Sequence, residues 1–284
     1  MRHFTTLVDA NTLSEQLSRE DLTLLDCRFD LGNSQWGEVE FARAHLPGAI
    51  YLHLDRDLSS PITASSGRHP LPDPAKFARR LGELGGSPTG QIVAYDQGNG
   101  AYAARLWWLA RWIGLRNVAV LDGGVAAWRA AGLPLETAVR APQPRALTLS
   151  LAPDAWVGSE AVDDLRLRPG NLLVDARGAE RFAGRNETID PVAGHVPGAR
   201  NRPFLDNLGA DGRFLPREVL RQRFDTLLGS IAPSSLISMC GSGVTACHNL
   251  LALEHAGLTG ARLYAGSWSE WIRDPRRPIA TGAY

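Results

Sequence analysis

The feature that most constrains this chain is that one series of short motifs occurs twice along its 284 residues. In the first half, Leu24-Leu25-Asp26-Cys27-Arg28 reads as a buried strand ending in Asp-x-Arg. Leu173-Val174-Asp175-Ala176-Arg177 repeats it in the second half. Next, Ala44-His45-Leu46-Pro47-Gly48-Ala49 is matched by Gly194-His195-Val196-Pro197-Gly198-Ala199, and Ile92-Val93-Ala94-Tyr95-Asp96 by Leu236-Ile237-Ser238-Met239-Cys240. Finally, Leu121-Asp122-Gly123-Gly124, closed by Trp128, is matched by Tyr264-Ala265-Gly266-Ser267, closed by Trp271. Helical patterns over Pro74 to Gly82, Ala101 to Gly114, Arg217 to Leu228 and Cys247 to Gly257 alternate with these apolar runs. Such alternation predicts a parallel sheet covered on both faces, and therefore an α/β fold built from two copies of one unit. The prolines of Arg140-Ala-Pro-Gln-Pro-Arg145 suit an extended linker. The expected organisation is a first domain over 1–138, a linker over 139–154 and a second domain over 155–284.

The duplication acts as an internal control. A feature present in both copies is expected to be structural, and a feature present in one copy is a candidate for chemistry. The Asp26/Arg28 and Asp175/Arg177 pairs, His45 and His195, and Trp128 and Trp271 occur in both halves. They read as loop ties, turn anchors and core anchors. Cys240 occurs in one half only, with Asp96 at its place in the other. Arg181 lies six residues past Asp175, whereas six past Asp26 stands Gly32, so Arg181 reads either as an anion binder or as a surface arginine.

Cys240 ends a short apolar run and is followed by Gly241-Ser242-Gly243 and a helical stretch. A lone cysteine after a strand is often a small core hydrophobe. Here, however, glycines allow backbone N–H groups to turn toward one point, and a helix N-terminus aims at the same point. A thiol so placed is expected to ionise easily, and the thiolate is the nucleophilic form. Cys247, one turn or so into that helix, reads as buried and inert.

Composition excludes several classes. The formal net charge is +0, which gives no general attraction for nucleic acid or an anionic membrane. Three cysteines without framework spacing argue against a disulfide scaffold. The N-terminus has no apolar signal segment and no run reaches the length of a membrane span, so a cytoplasmic protein is expected. Scattered histidines without Cys-x-x-Cys or His-x-x-x-His spacing give no metal site, and no cofactor is expected. A cysteine phosphatase loop requires arginine six residues after its cysteine, where this chain has Ala246.

Together these motifs resemble the tandem rhodanese/sulfurtransferase family, so the α/β fold is expected as two rhodanese-like domains, each a mostly parallel sheet flanked by helices. The resemblance rests on Cys240-Gly-Ser-Gly-Val-Thr-Ala246, on His-x-Pro-Gly-Ala in each half and on Gly266-Ser-Trp-Ser-Glu-Trp271. The loop is similar to that of the 3-mercaptopyruvate sulfurtransferases, whereas thiosulfate sulfurtransferases typically carry Arg-Lys at Gly241-Ser242. The resemblance implies that Cys240 accepts a sulfane sulfur as a persulfide, and that the amides of Gly241, Ser242, Gly243, Val244 and Thr245 cradle it. It further implies that Arg181 holds a donor carboxylate, that Asp55 and His69 form a relay with Ser242, and that the cleft between the domains is the active site. It implies a small anionic sulfur donor, and an acceptor that is a thiol, cyanide or a thioredoxin-like protein. A tandem chain of this kind can function as a monomer.

Two positions depart from the family pattern. A second carboxylate-binding arginine usually stands nine residues past the first, where this chain has Asp190; Arg185 is the nearby substitute. Ala265 stands where the family often has aspartate. The alternatives carried forward are a thiosulfate:cyanide sulfurtransferase and a non-catalytic binding module, the latter disfavoured by an intact Cys240 loop.

Overall fold

Strands and α-helices alternate along residues 3–282, the part of the chain described by the computed structural model. The first unit contains β1 (Leu7–Val8), α1 (Ala10–Ser14), β2 (Leu22–Asp26), α2 (Trp36–Arg43), β3 (Ile50–Tyr51), α3 (Pro74–Glu83), β4 (Gln91–Tyr95), α4 (Ala103–Trp112), β5 (Val118–Leu121) and α5 (Gly124–Ala130). The second contains β6 (Trp156–Val157), α6 (Ser159–Leu165), β7 (Leu172–Asp175), α7 (Ala179–Phe182), β8 (Arg200–Asn201), α8 (Arg217–Leu228), β9 (Leu236–Met239), α9 (Thr245–His255), β10 (Arg262–Tyr264) and α10 (Ser267–Trp271). Each unit forms a five-stranded sheet, ordered β1-β5-β4-β2-β3 in one and β6-β10-β9-β7-β8 in the other. These are the same topology, and every pairing between named strands is parallel. The α/β expectation therefore holds for both units. Strands β4, β7 and β9 are buried along their whole length, which is why they read as continuous apolar runs.

The duplicated motifs perform duplicated tasks. Arg28 forks onto Asp26 and reaches the carbonyl of Ala44 at 2.9 Å, and Arg177 forks onto Asp175 and reaches that of Gly194 at 2.8 Å. His45 stacks on Phe41 with ring centroids 3.9 Å apart, and His195 stacks on Phe182 at 3.7 Å. Each of these histidines has its Nδ1 2.8 Å from the carbonyl oxygen of its stacking partner. The indole N–H groups of Trp128 and Trp271 donate to Pro134 and Pro278 respectively. Neither histidine pair forms a reactive constellation; both fix turns, and burial holds the His195 pKa below its ordinary value.

The compact units depart from sequential boundaries in two ways. One comprises 1–60, 71–152 and 210–214, and the other 61–70, 153–209 and 215–284. Residues of the expected linker run along the first unit. The amides of Arg145, Ser150 and Ala152 donate to the carbonyls of Gly82, Ile113 and Trp112 at 2.9, 3.1 and 3.0 Å. Residues 61–70, expected in the first domain, belong to the second unit through bonds made by Arg68 and His69. Helix α9 starts at Thr245, two residues before the expected Cys247, so the loop before it is only Cys240 to Val244.

Candidate active site

Strand β9 delivers Cys240 to the carboxyl end of the second sheet, in the crevice where parallel α/β folds place their chemistry. Its side chain is nearly buried, at 2% exposure. Two amides of the following loop point back at the sulfur. The N–H of Gly243 donates to Sγ at 3.1 Å, and that of Ser242 at 3.4 Å. These donors lie where negative charge on sulfur would rest, in the manner of an oxyanion hole. Gly243 is required twice over. Its φ of +79° suits glycine, and a Cβ there would stand 2.3 Å from the carbonyl oxygen of Ala265. The backbone of Ala265 thus helps to shape the loop, whereas at the matching position in the first unit the Asp122 carboxylate accepts from the Phe214 amide at 2.9 Å.

The start of α10 braces the loop from behind. The Ser267 hydroxyl accepts from the Cys240 amide at 3.0 Å and donates to the Tyr264 carbonyl at 2.8 Å. The amides of Trp268 and Ser269 donate to the carbonyls of Cys240 and Gly241. Ser267 does this at a φ of +54°, the sole positive φ among the described residues other than glycine. Backbone strain of this kind costs on the order of 1–3 kcal/mol and persists where surrounding contacts hold it. Cys247 is buried, and its thiol donates to the Gly243 carbonyl at 3.2 Å, a packing contact on the same loop.

Above the loop lies a chain of alternating charges that begins in the shared core motif. Asp175 binds Arg177, and Arg177 reaches Glu187 at 3.4 Å. Glu187 also takes Arg181 at 2.9 Å, and Arg181 contacts Asp190 at 3.0 Å. Arg68 closes the series by pairing with the other oxygen of Asp190. Burial opposes charge on Glu187, but the amides of Asp190 and Ile189 and the Arg181 guanidinium outweigh it and hold its pKa below the ordinary value. Burial likewise opposes the charge on Arg177, yet Asp175 and Glu187 leave its pKa raised. The outer end of the chain converges on Gly241. A Cβ built there would stand 3.1 Å from an Arg68 nitrogen, 3.5 Å from an Arg181 nitrogen and 3.6 Å from Asp190 Oδ2. The buried Nε of Arg68 donates to no group.

The sequence-derived candidates separate accordingly. Cys240, Gly241, Ser242, Gly243, Val244, Thr245, His69 and Arg181 come together in the second unit. His69 Nδ1 lies 2.7 Å from the Ser242 hydroxyl. Arg185 does not join them. It is exposed and paired with Glu180 at 2.6 Å, whereas the arginine that stands beside Arg181 on Asp190 is Arg68. Asp55 is an exposed residue of the first unit, its amide donating to His53 Nδ1 at 3.1 Å. Sequence reasoning missed Arg68, Glu187 and the part played by Ser267. For Arg68, the available signal was its place beside His69.

The rhodanese-like domain model matches residues 9–131 and again 159–274. The chain belongs to the rhodanese family. It is 51% identical over 283 residues to a protein of Pseudomonas aeruginosa named a probable 3-mercaptopyruvate sulfurtransferase, covering 97% of this chain and 98% of that one. It is also 33% identical over 270 residues to a thiosulfate sulfurtransferase of Cricetulus griseus, covering 92% and 89%. Among solved structures, a 3-mercaptopyruvate sulfurtransferase from Leishmania major superposes with a TM-score of 0.83 at 33% identity, covering 95% of this chain and 76% of that one. This rhodanese-family chain is accordingly a sulfurtransferase enzyme. Both matched segments carry the rhodanese fold, but only the second carries the loop cysteine.

Proposed function

We propose that the protein transfers sulfane sulfur from 3-mercaptopyruvate to a thiol, cyanide or thioredoxin-like acceptor through a persulfide on Cys240. The observation that carries this reading is the meeting of two elements at Gly241: a sulfur cradled by two amides, and a pair of arginine side chains suited to a carboxylate. The Cys240 thiolate attacks the donor sulfur. An S–S bond forms and the C–S bond breaks, with the electron pair passing into the enolate of pyruvate. That enolate then takes up one proton. The acceptor attacks the outer sulfur, the S–S bond breaks, and the Cys240 thiolate returns.

Each group has a defined part. The amides of Gly241 to Thr245 stabilise charge on the two sulfurs without reorganising, and Arg68 and Arg181 hold the carboxylate. Ser242, hydrogen-bonded to His69, supplies a hydroxyl toward the developing enolate oxygen. The loop contains no cation, and this favours mercaptopyruvate over thiosulfate. We assign the enzyme to the cytoplasm as a monomer; among the described residues no helix is long and apolar enough to cross a membrane. The test is a side-by-side measurement of kcat/KM for 3-mercaptopyruvate and thiosulfate, with mass spectrometry of the enzyme after donor alone. One added sulfur on Cys240 and a preference for mercaptopyruvate are expected. A persulfide elsewhere, or a preference for thiosulfate, overturns the reading.

A further inference from the structure

The alternating charge chain has a consequence for donor choice. Arg68 and Arg181 arrive at Gly241 from distant parts of the sequence, and Asp190 lies between them, one carboxylate oxygen on each. The Asp190 side chain is only 2% exposed, whereas those of Arg68 and Arg181 are 24% and 22% exposed. The two arginines therefore face solvent and ligand, and the aspartate backs them. Its charge cancels one of theirs, with Glu187 on Arg181 in the same balance, so Asp190 lowers the charge presented beside Gly241 by one unit relative to a neutral side chain there. Away from bulk water such a difference in charge acts strongly on an anion placed within a few ångströms.

We infer that Asp190 is a specificity-determining residue that sets the donor's charge, so that the site accepts a monoanionic carboxylate and disfavours a dianionic sulfur donor. The inference rests on the functional reading above and deepens it. The position of a missing second arginine becomes the buried counter-charge of a two-arginine pair. Gly241 fits the same scheme. A side chain there would enter the space that the two guanidinium groups occupy, so the loop leaves it empty and takes its cations from outside. Asp190 touches neither the sulfur nor Ser242 in this scheme, and it acts by fixing the charge and spacing of Arg68 and Arg181.

The test uses the full-length enzyme with Asp190→Asn and Asp190→Glu. With one acceptor, kcat/KM is measured for 3-mercaptopyruvate and thiosulfate across a series of salt concentrations. Asp190→Asn should raise the thiosulfate-to-mercaptopyruvate ratio at least tenfold, mainly through KM for thiosulfate, and should steepen the fall of thiosulfate turnover with salt. Asp190→Glu should keep the wild-type ratio. A ratio within twofold of wild type in Asp190→Asn, or an equal shift in both variants, overturns the inference. Wild-type enzyme gives a second reading that needs no folded variant: pyruvate should inhibit competitively at concentrations at least tenfold lower than sulfate, and equal inhibition overturns the proposal. If wild type turns over mercaptopyruvate through Cys240 while the ratio stays fixed, this inference alone fails. If no persulfide forms on Cys240, the functional reading fails with it.

Discussion

The loop after β4 and the loop after β9 are the same backbone device with different anions in it. In the first, the buried Asp96 carboxylate collects four amides: those of Gly98, Gly100 and Tyr102 at 3.0 Å and that of Ala103 at 3.3 Å. Burial raises the Asp96 pKa against the pull of those amides. In the second, the Cys240 sulfur takes the amides of Ser242 and Gly243. Both cradles gather N–H groups around one side chain at the end of a buried strand. The first is filled by a carboxylate the chain supplies itself, whereas the second holds an atom that can carry another sulfur. The difference teaches that the cradle alone is structural, and that the second unit is set apart by the thiol and the arginines beside it.

The largest effect tests that division directly. Cys240→Ser should lower transfer by about 10³-fold or more in steady-state kinetics. Adding Asp96→Cys to that variant should restore none of it, because the first unit has Gly32 where the second has Arg181. Recovered turnover would break the comparison. Arg181→Ala should lower kcat/KM for mercaptopyruvate roughly 10- to 100-fold, the worth of a hydrogen bond to a charged group, while the protein still folds on its remaining Arg177 and Arg68 pairs. Equal kcat/KM in variant and parent would remove Arg181 from the donor site. Asp96→Ala should have the smallest effect on chemistry. It leaves four amides, two of them buried, without their acceptor and should cost about 3 kcal/mol in denaturant unfolding. Turnover per folded molecule should stay at the wild-type value, and a loss would give the first loop a role that its composition does not suggest.

Much of the fold was legible because each short motif appears twice with the same neighbours. Asp-x-Arg, His-x-Pro-Gly-Ala and the closing tryptophan each make the same contacts in both units. The thiol loop was legible for a related reason: Cys240 breaks the pattern where Asp96 keeps it. Two things were hidden. The prolines pointed to an extended linker but not to its course: unpaired amides are costly to leave beside a folded surface, and 145–152 bond to the first unit. The charge chain beside the thiol loop was hidden more deeply, because charge is balanced in space and not in sequence. Counting nine residues on from Arg181 finds an aspartate. Arg68, which shares that aspartate with Arg181, lies 122 positions before it, on residues 61–70, and periodicity assigns those residues to the other repeat.

Ser267 bears on whether this loop can be moved. A designer who grafted Cys240 to Ala246 onto another strand and helix would transfer the nucleophile and its amides. The hydroxyl that holds the Cys240 amide, 27 residues further along the chain, would stay behind. So would a backbone conformation that serine rarely adopts, whereas the first unit meets the same φ of +54° with Gly124. The transferable part is therefore two crossings of the sheet edge, β9 with its loop and β10 with the start of α10, and a graft of either alone would leave the cysteine without its fixed orientation.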